Sequence, residues 1–279
     1  ASVDTVHFAP DESVRGIQKA HCLGHIGGFP MERPENATYW FSAGIWNTGH
    51  MWSQGVLTAY CLTGDRRYYE AGMLLVDWLA REEARHLSPS VHRSQGWSTI
   101  ACLGGYHVLP DPWYLNVARL SSQSAIARQD PGTGALIHAI GECEHEIRHM
   151  GGKTFMTGVV MTGMKMLDRI DPDPDLQHSI VRSADWIAWR MWHPWDNSFQ
   201  YAQCTQYDQS STHAGTYMAS EGLAYAWELA ERPIYREMLE RSLADMILNA
   251  GPSGGGKGYA MQMRMVPYAL AAMQRWGMT

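Results

Sequence analysis

A helix–turn–helix plan recurs along most of the 279-residue chain, and a repeat at a regular spacing constrains a fold more tightly than any single motif does. Residues 52–82 give one helix from Trp52 to Leu62, a Thr63-Gly64-Asp65 turn, and a second helix from Arg66 to Arg81. In that second helix Ala71, Leu75, Trp78 and Leu79 fall on one face, the stripe of an amphipathic helix. Residues 95–129 repeat the plan: Gln95-Gly96-Trp97 opens a helix, Leu109-Pro110-Asp111 turns the chain, and Pro112 begins the return, a position where proline is tolerated. A third copy starts at Phe155, turns at Asp171-Pro172-Asp173-Pro174, and returns with Ile180, Ala184 and Ile187 as its stripe. The fourth runs from Ala214 to Glu231, turns at Arg232-Pro233 and returns to Asn249. A last helix over Tyr259–Trp276 closes the series, and Ser13–Leu23 is expected to supply the first helix.

Within each pair the first helix is richer in Gly, Ala, Met and Thr, so it is expected to be the inner, doubly covered one. The second carries more charge on one face and is expected to be outer. A series of such repeats must cover its own ends, either with polar caps or by closing into a ring. Met261, Met263, Met265, Val266, Leu270 and Met273 keep the last helix apolar, which favours closure. The expected fold class is therefore all-α, an α/α toroid with a complete or incomplete set of six hairpins. An open helical-repeat scaffold for protein binding is the alternative.

No linker divides the chain, so residues 1–279 read as one toroid domain. The connections at 26–48, 130–153, 192–213 and 250–258 are longer than the roughly 2–8 residues usual between packed helices. Long connections in a compact domain tend to carry function. Several hold Trp, His, Asn or Lys just before an inner helix begins, which places a cleft at that end. With 45% hydrophobic and 18% charged residues the composition is that of a globular domain. A formal charge of -6 without a basic run excludes a nucleic-acid footprint, and no apolar stretch is long enough for a membrane span. The 12 Trp and 13 Tyr stand against only 5 Phe. Such an excess suits either a partly wet cleft that stacks pyranose rings or wide helix–helix gaps. Five scattered cysteines without a CxxC pair fit reduced thiols, with Cys61 and Cys102 expected in the core. The first residues have neither the basic start nor the apolar core of a signal peptide, which is expected of a trimmed chain or one that begins inside a longer protein.

The run Asn47-Thr48-Gly49-His50-Met51-Trp52-Ser53-Gln54-Gly55, followed by Tyr60-Cys61-Leu62-Thr63-Gly64-Asp65, resembles the first hairpin of several α/α-toroid carbohydrate enzymes. Three further segments match in order: Arg93-Ser94-Gln95-Gly96-Trp97, Gly151-Gly152-Lys153-Thr154-Phe155-Met156-Thr157-Gly158 and Glu221-Gly222-Leu223-Ala224-Tyr225-Ala226. Together they are most similar to the C-terminal toroid of the exo-rhamnogalacturonan lyase-like family, polysaccharide lyase family 26 and its relatives. The resemblance implies cleavage of rhamnose–uronate linkages by β-elimination. It also implies a chain preceded by β-sandwich domains and a secreted or periplasmic setting.

β-Elimination from a uronate needs a base for the acidic ring proton, a cation or hydrogen-bond donor for the carboxylate, and an acid for the leaving oxygen. At the cleft end the chain offers His50, Arg93, Lys153, His213 and Tyr217 as catalytic candidates. Arginine can grip a carboxylate bidentately, and His or Tyr suits the proton transfers. Asn47, Trp52, Trp97, Tyr259 and Arg264 are the substrate-binding candidates. Each has a plain structural reading as well: His50 as a helix cap, the tryptophans as core, the cations as solvated charges.

Two groups have metal-ligand spacing, His21 with His25 and Glu142, His145, Glu146 with His149. The second reads better as a solvated charged turn, so no metal site is assigned, and a Ca²⁺ that aids carboxylate binding stays open. A glycoside hydrolase is the rival enzyme and needs two carboxylates, one kept protonated. Its candidates are Glu142, Glu144, Asp208 and Glu221. A toroid that binds a glycan or a protein without catalysis is the remaining alternative. In every enzymatic reading the partner is an oligo- or polysaccharide.

Overall fold

The computed structural model describes residues 20–22, 25–26, 49, 51–85, 92–140, 150–204, 211–249 and 255–277. Helices dominate: α1 (Gln54–Thr63), α2 (Arg66–Arg85), α3 (His92–Val108), α4 (Pro112–Ala127), α5 (Thr154–Ile170), α6 (Pro174–Trp186), α7 (His213–Ala230), α8 (Pro233–Asn249) and α9 (Gly255–Arg275). A π-helical turn at Ile187–Met191 extends α6. Short antiparallel ladders join β1 (Ala20–Cys22) to β2 (His25–Ile26), β3 (His138–Ala139) to β4 (Met150–Gly151), and β5 (Trp192–His193) through β6 (Ser198–Gln200) to β7 (Ser211–Thr212). None of the described helices is long and apolar enough to cross a membrane.

An aspartate makes most of the hairpins. Asp65 Oδ1 accepts from the Arg67 N–H, Asp111 Oδ1 from Trp113 N–H and Asp173 Oδ1 from Asp175 N–H, so each caps the helix that returns. Arg67 also donates to the Asp65 carboxylate, and these hydrogen bonds pull its pKa down. Gly64, at φ 69°, supplies the left-handed end of α1, and its N–H reaches Tyr60 O at 2.8 Å. Pro112, Pro174 and Pro233 start α4, α6 and α8, where the missing N–H costs nothing.

The chain forms two compact units, residues 1–89 with 97–121, and residues 90–96 with 122–279. In the first, the expected α2 stripe is the core: Ala71, Leu75 and Leu79 are 0% exposed and Trp78 is 1% exposed. Met51, Leu75, Trp78, Leu79 and Ala101 pack as one cluster. Glu83 of α2 is also buried, accepts from Ser121 Oγ at 2.9 Å, and has its pKa pushed up by burial. In the second unit α5 and α7 are the most completely buried helices, and α7 also packs on α6, α8 and α9. Ile180, Ala184 and Ile187 are all 0% exposed.

Glycine sets how closely these helices approach. A Cβ on Gly158 of α5 would lie 2.3 Å from Met218 O of α7, and one on Gly222 of α7 would lie 2.5 Å from Met161 Cβ. A Cβ on Gly96 of α3 would meet the backbone of Val159 and Val160 at 2.8 Å. The glycines of the Gln95-Gly96, Thr157-Gly158 and Glu221-Gly222 motifs are therefore contact points between helices. Gly55, the apparent equivalent in α1, has nothing within 4 Å of such a Cβ.

Four expectations need correction. Residues 20–22 are strand, not the end of a helix over Ser13–Leu23: Cys22 pairs with His25, which leaves only Leu23 and Gly24 between the strands. His21 and His25 consequently do not share a helix face. The first helix of the first hairpin is not doubly covered, because α1 buries only Val56 and Leu57 and leaves Leu62 81% exposed; Cys61 is exposed with it, while Cys102 is buried. On α9, Met265 and Val266 are buried, but Met263 is 58% exposed and Leu270 37%, so that helix is apolar on one face and open on another.

Candidate functional site

Within the second unit, the starts of α5 and α7 are joined through short β-pairings, and the start of α3 meets β3 through a ring contact. Lys153 is the residue before α5 and bridges Ala202; Gln203 N–H donates to Gly152 O at 2.9 Å, and Thr154 Oγ1 donates to Gln200 O at 2.8 Å. Strand β6 then pairs with β7, which runs directly into His213 at the start of α7. A Cβ on Gly215 would sit 2.8 Å from Phe199 Cβ, so α7 begins in contact with β6. On the other side His138 of β3 pairs with Gly151 of β4, two residues before Lys153. The His138 ring stands 5.6 Å from that of His92, the first residue of α3.

Lys153 is 2% exposed, with its ammonium 5.3 Å from the centre of the Tyr201 ring. Tyr201 in turn stacks on Phe155 at 5.2 Å. Arg93, one residue into α3, is half-buried. Tyr217, one turn into α7, is also half-buried, and desolvation raises its phenol above the usual range. Of the catalytic candidates, then, Lys153, Arg93, Tyr217 and the backbone of His213 share this region of the unit. The His213 side chain, His50, Asn47 and the Tyr259 side chain lie outside the described residues.

The remaining candidates lie elsewhere. In the first unit Trp97 is 5% exposed and packs against half-buried Trp52, with ring centres 5.3 Å apart. In the second unit Arg264 of α9 is occupied by Glu221: Nη1 to Oε2 is 2.7 Å, while Lys165 Nζ meets Oε1 at 2.5 Å. Lys165 stands twelve residues past Lys153, about 18 Å along α5 at about 1.5 Å per residue. Glu221 is thus held deep in the unit between two cations, in a packing role. The other carboxylates proposed for hydrolysis, Glu142, Glu144 and Asp208, lie outside the described residues, as do His145, Glu146 and His149. Among the described residues no three His, Cys, Asp or Glu side chains come together as a metal set.

Sequence reasoning missed His92 and His138. Both are buried, at 1% and 3% exposure, and neither ring nitrogen of His92 has a hydrogen-bond partner among the described residues. Burial, with smaller contributions from His138 and Arg128, lowers the His92 pKa to about 3. The signal was present for His138: Ala135–Ile140 is an apolar run after a Gly-containing turn, the pattern of a short strand. For His92 the helix start was placed three residues late, at Gln95.

A histidine kept neutral in the folded state ties stability to pH. Its folded pKa near 3 lies below the ordinary 6.5, so the unfolded chain takes up a proton that the folded one refuses. His92 therefore favours the fold above pH 6.5, and this contribution is lost as the pH falls toward 3. Urea midpoints measured across that window should fall less steeply for His92→Leu than for the unaltered chain. Equal slopes would contradict the assignment.

Comparison with known proteins agrees on the fold. No family model matches the sequence, and no curated relative does. An inactive variant of the α-1,6-mannanase GH76A of Salegentibacter sp. HEL1_6, in complex with α-1,6-mannotetrose, aligns with a TM-score of 0.58 at 14% identity, over 77% of this chain and 64% of that one. The unsaturated glucuronyl hydrolase of Bacillus sp. GL1, responsible for the degradation of glycosaminoglycan, aligns at 0.60 and 13%, over 76% and 60%. Cellobiose 2-epimerase from Bacillus thermoamylovorans B4167 aligns at 0.56 and 9%, over 70% and 57%. The chain spans less than two thirds of the length of these structures. Its fold is that of the α/α toroid, the class these proteins share. The likeness does not single out the lyase family that the motifs resemble.

Proposed function

We propose that the chain is a carbohydrate-active enzyme that hydrolyses glycosidic bonds, with its substrate bound where α3, α5 and α7 begin. The observation that carries this reading is the likeness of the fold to two groups of glycoside hydrolases, the α-1,6-mannanase and the glucuronyl hydrolases. The site's chemistry supports a substrate with an acidic sugar. Lys153 and Arg93 bring positive charge to the helix starts, and a buried cation attracts a carboxylate far more strongly than a solvated one does. Aromatic rings at Tyr201 and Tyr217 supply surfaces with an apolar face and a polar tip.

Hydrolysis needs a protonated carboxyl to assist the leaving oxygen and a second carboxylate to act on the anomeric carbon or on water. Glu142, Glu144 and Asp208 are the acids assigned to those roles. In the sequence Glu142 and Glu144 precede β4, and Asp208 precedes β7. Glu221 is withdrawn from the role by its two cations.

A second reading, β-elimination from a uronate, is favoured by one specific observation, the buried Lys153 at the start of α5 with half-buried Tyr217 one turn into α7. A phenol can pass a proton and an ammonium suits the carboxylate as it gains enolate character, whereas buried His92, its pKa lowered to about 3, is too weak a base for the abstraction. The motif resemblance to the rhamnogalacturonan lyase-like family points the same way.

The test is turnover. Incubation with α-1,6-linked manno-oligosaccharides and with glucuronate-bearing oligosaccharides should release new reducing ends from at least one of them. Lys153→Met should then lower kcat/KM by roughly 10²–10³-fold, as expected when a charge-stabilising group is removed, with the far-ultraviolet circular dichroism unchanged. Turnover unaffected by Lys153→Met would place the site elsewhere.

A further inference from the structure

The connection from α6 to α7 displays tryptophan where folding gains nothing from it. Trp189, on the π-helical turn, is 72% exposed, and Trp195, on the turn between β5 and β6, is 76% exposed. A buried tryptophan removes about 150–250 Å² from water, and both of these forgo most of that gain. Their neighbour Trp192 shows the ordinary arrangement: it is 8% exposed and packs on Phe199.

Trp195 is nevertheless held in place. Its ring stacks on His193 with centroids 4.6 Å apart and planes 21° from parallel. The turn beneath it is tied down on several sides. Asp196 Oδ1 accepts from Ser198 Oγ at 2.8 Å and from Ser198 N–H at 3.2 Å, and Asn197 takes a left-handed conformation at φ 54°. Arg241 of α8 donates to Asn197 Oδ1 at 2.9 Å and to the Pro194 carbonyl. Strands β5 and β6 close the base, with Trp192 opposite Phe199 and His193 opposite Ser198. An exposed indole backed on one face by an imidazole and carried on a braced turn is already ordered, so a ligand would pay little to order it.

We propose that the Trp195–His193 turn is a stacking platform for a sugar ring of a glycan, a binding subsite in addition to the cleft residues. The inference rests on the glycan-processing reading above and extends it to a specific subsite. The open indole face matches the C–H face of a pyranose, and Asp196 beside it can accept from sugar hydroxyls. Strand β6 carries the platform: its far end, Gln200, is bonded to Thr154 at the start of α5 and pairs with Ser211 just before α7. From Trp195 to Gln200 is five residues, at most about 17 Å of extended chain, a span that an oligosaccharide can bridge. A protein partner fits less well. It requires an interface of about 1,000 Å² or more with an apolar centre, whereas Arg190, His193 and Pro194 lie between these tryptophans and Asp196 follows them.

Titration of intrinsic fluorescence and calorimetry, with α-1,6-mannotetrose and a glucuronate-bearing tetrasaccharide as probes, test the platform. Wild type should bind at least one probe. Trp195→Ala should weaken that binding about tenfold or more, which is about 1.4 kcal/mol, and Trp195→Phe should restore most of it. His193→Ala should give an intermediate loss. The thermal midpoint of Trp195→Ala should match that of wild type, since the side chain is largely exposed. Undiminished binding by Trp195→Ala overturns the platform even if the protein turns over glycans. Binding through Trp195 without any turnover upholds the platform and instead contradicts the hydrolytic reading. A wild type that self-associates, with Trp195→Ala monomeric, makes the turn a protein contact and also overturns the proposal.

Discussion

Replacing Glu221 with alanine is expected to cost about 3–5 kcal/mol of folding free energy, the usual penalty for breaking a buried ion pair from one side. The carboxylate is 3% exposed and receives Lys165 on one oxygen and Arg264 on the other. Lys165 itself is 7% exposed, with its ammonium 3.7 Å from the Tyr268 ring centre. Burial, with smaller contributions from Arg264 and Arg169, drives the Lys165 pKa down, and Glu221 is the group that opposes the shift. Without Glu221 the ammonium must either stay charged in an apolar setting or give up its proton, and both are costly. Arg264 can swing toward water; Lys165 cannot. The double variant Lys165→Met, Glu221→Leu should recover much of the loss, because it removes the stranded charge together with its partner. Denaturant unfolding with an unchanged m-value would measure both. A loss below about 1 kcal/mol for Glu221→Ala, the level of an exposed pair, would contradict the triad.

A second large effect is expected from a single methyl group. Gly158→Ala places a Cβ 2.3 Å from Met218 O and 2.6 Å from its carbonyl carbon, so α5 and α7 must separate. Overpacking of this kind costs typically about 1–3 kcal/mol and at times more, and the obstruction here is backbone, which has no rotamer to escape into. The higher alanine helix propensity offsets at most about 1 kcal/mol. Gly55→Ala is the internal control. It is also helical, but the new methyl meets nothing within 4 Å, so the same substitution should stabilise by about 0.5–1 kcal/mol. Opposite signs in thermal or denaturant midpoints are the expected result. A loss at Gly55, or none at Gly158, would mean that the helices do not approach as described.

The hairpin plan was legible because its signals are local. Asp65, Asp111 and Asp173 cap their helices wherever the rest of the chain lies, and the stripes of α2 and α6 follow from helical periodicity alone. The glycine motifs were visible as motifs, but their role as contacts between helices depends on which helix lies opposite. That is why Gly55 and Gly158 looked alike in sequence and differ in packing. Cys61 and Leu62 failed for the same reason, since an apolar helix is buried only where something covers it. Lys153 and Tyr217 were singled out as candidates from their position at helix starts, which is where α5 and α7 begin. His138 and Trp195 were missed because both sit on strands and turns of two to four residues inside segments taken for long loops. There, register and not periodicity decides where a side chain goes. Arg264 looked like a cleft residue, yet its partner Glu221 lies forty-three positions away, a pairing that only the packing of α7 on α9 creates.

Mass spectrometry of products from one defined, glucuronate-bearing tetrasaccharide tests the central claim most directly. Hydrolysis adds one water across the broken bond, so the fragment masses should sum to the substrate plus one water, and in ¹⁸O-water one fragment should carry the label. Fragments that sum to the substrate itself, with no label and with an unsaturated uronate at the new end, would contradict hydrolysis and establish elimination in its place.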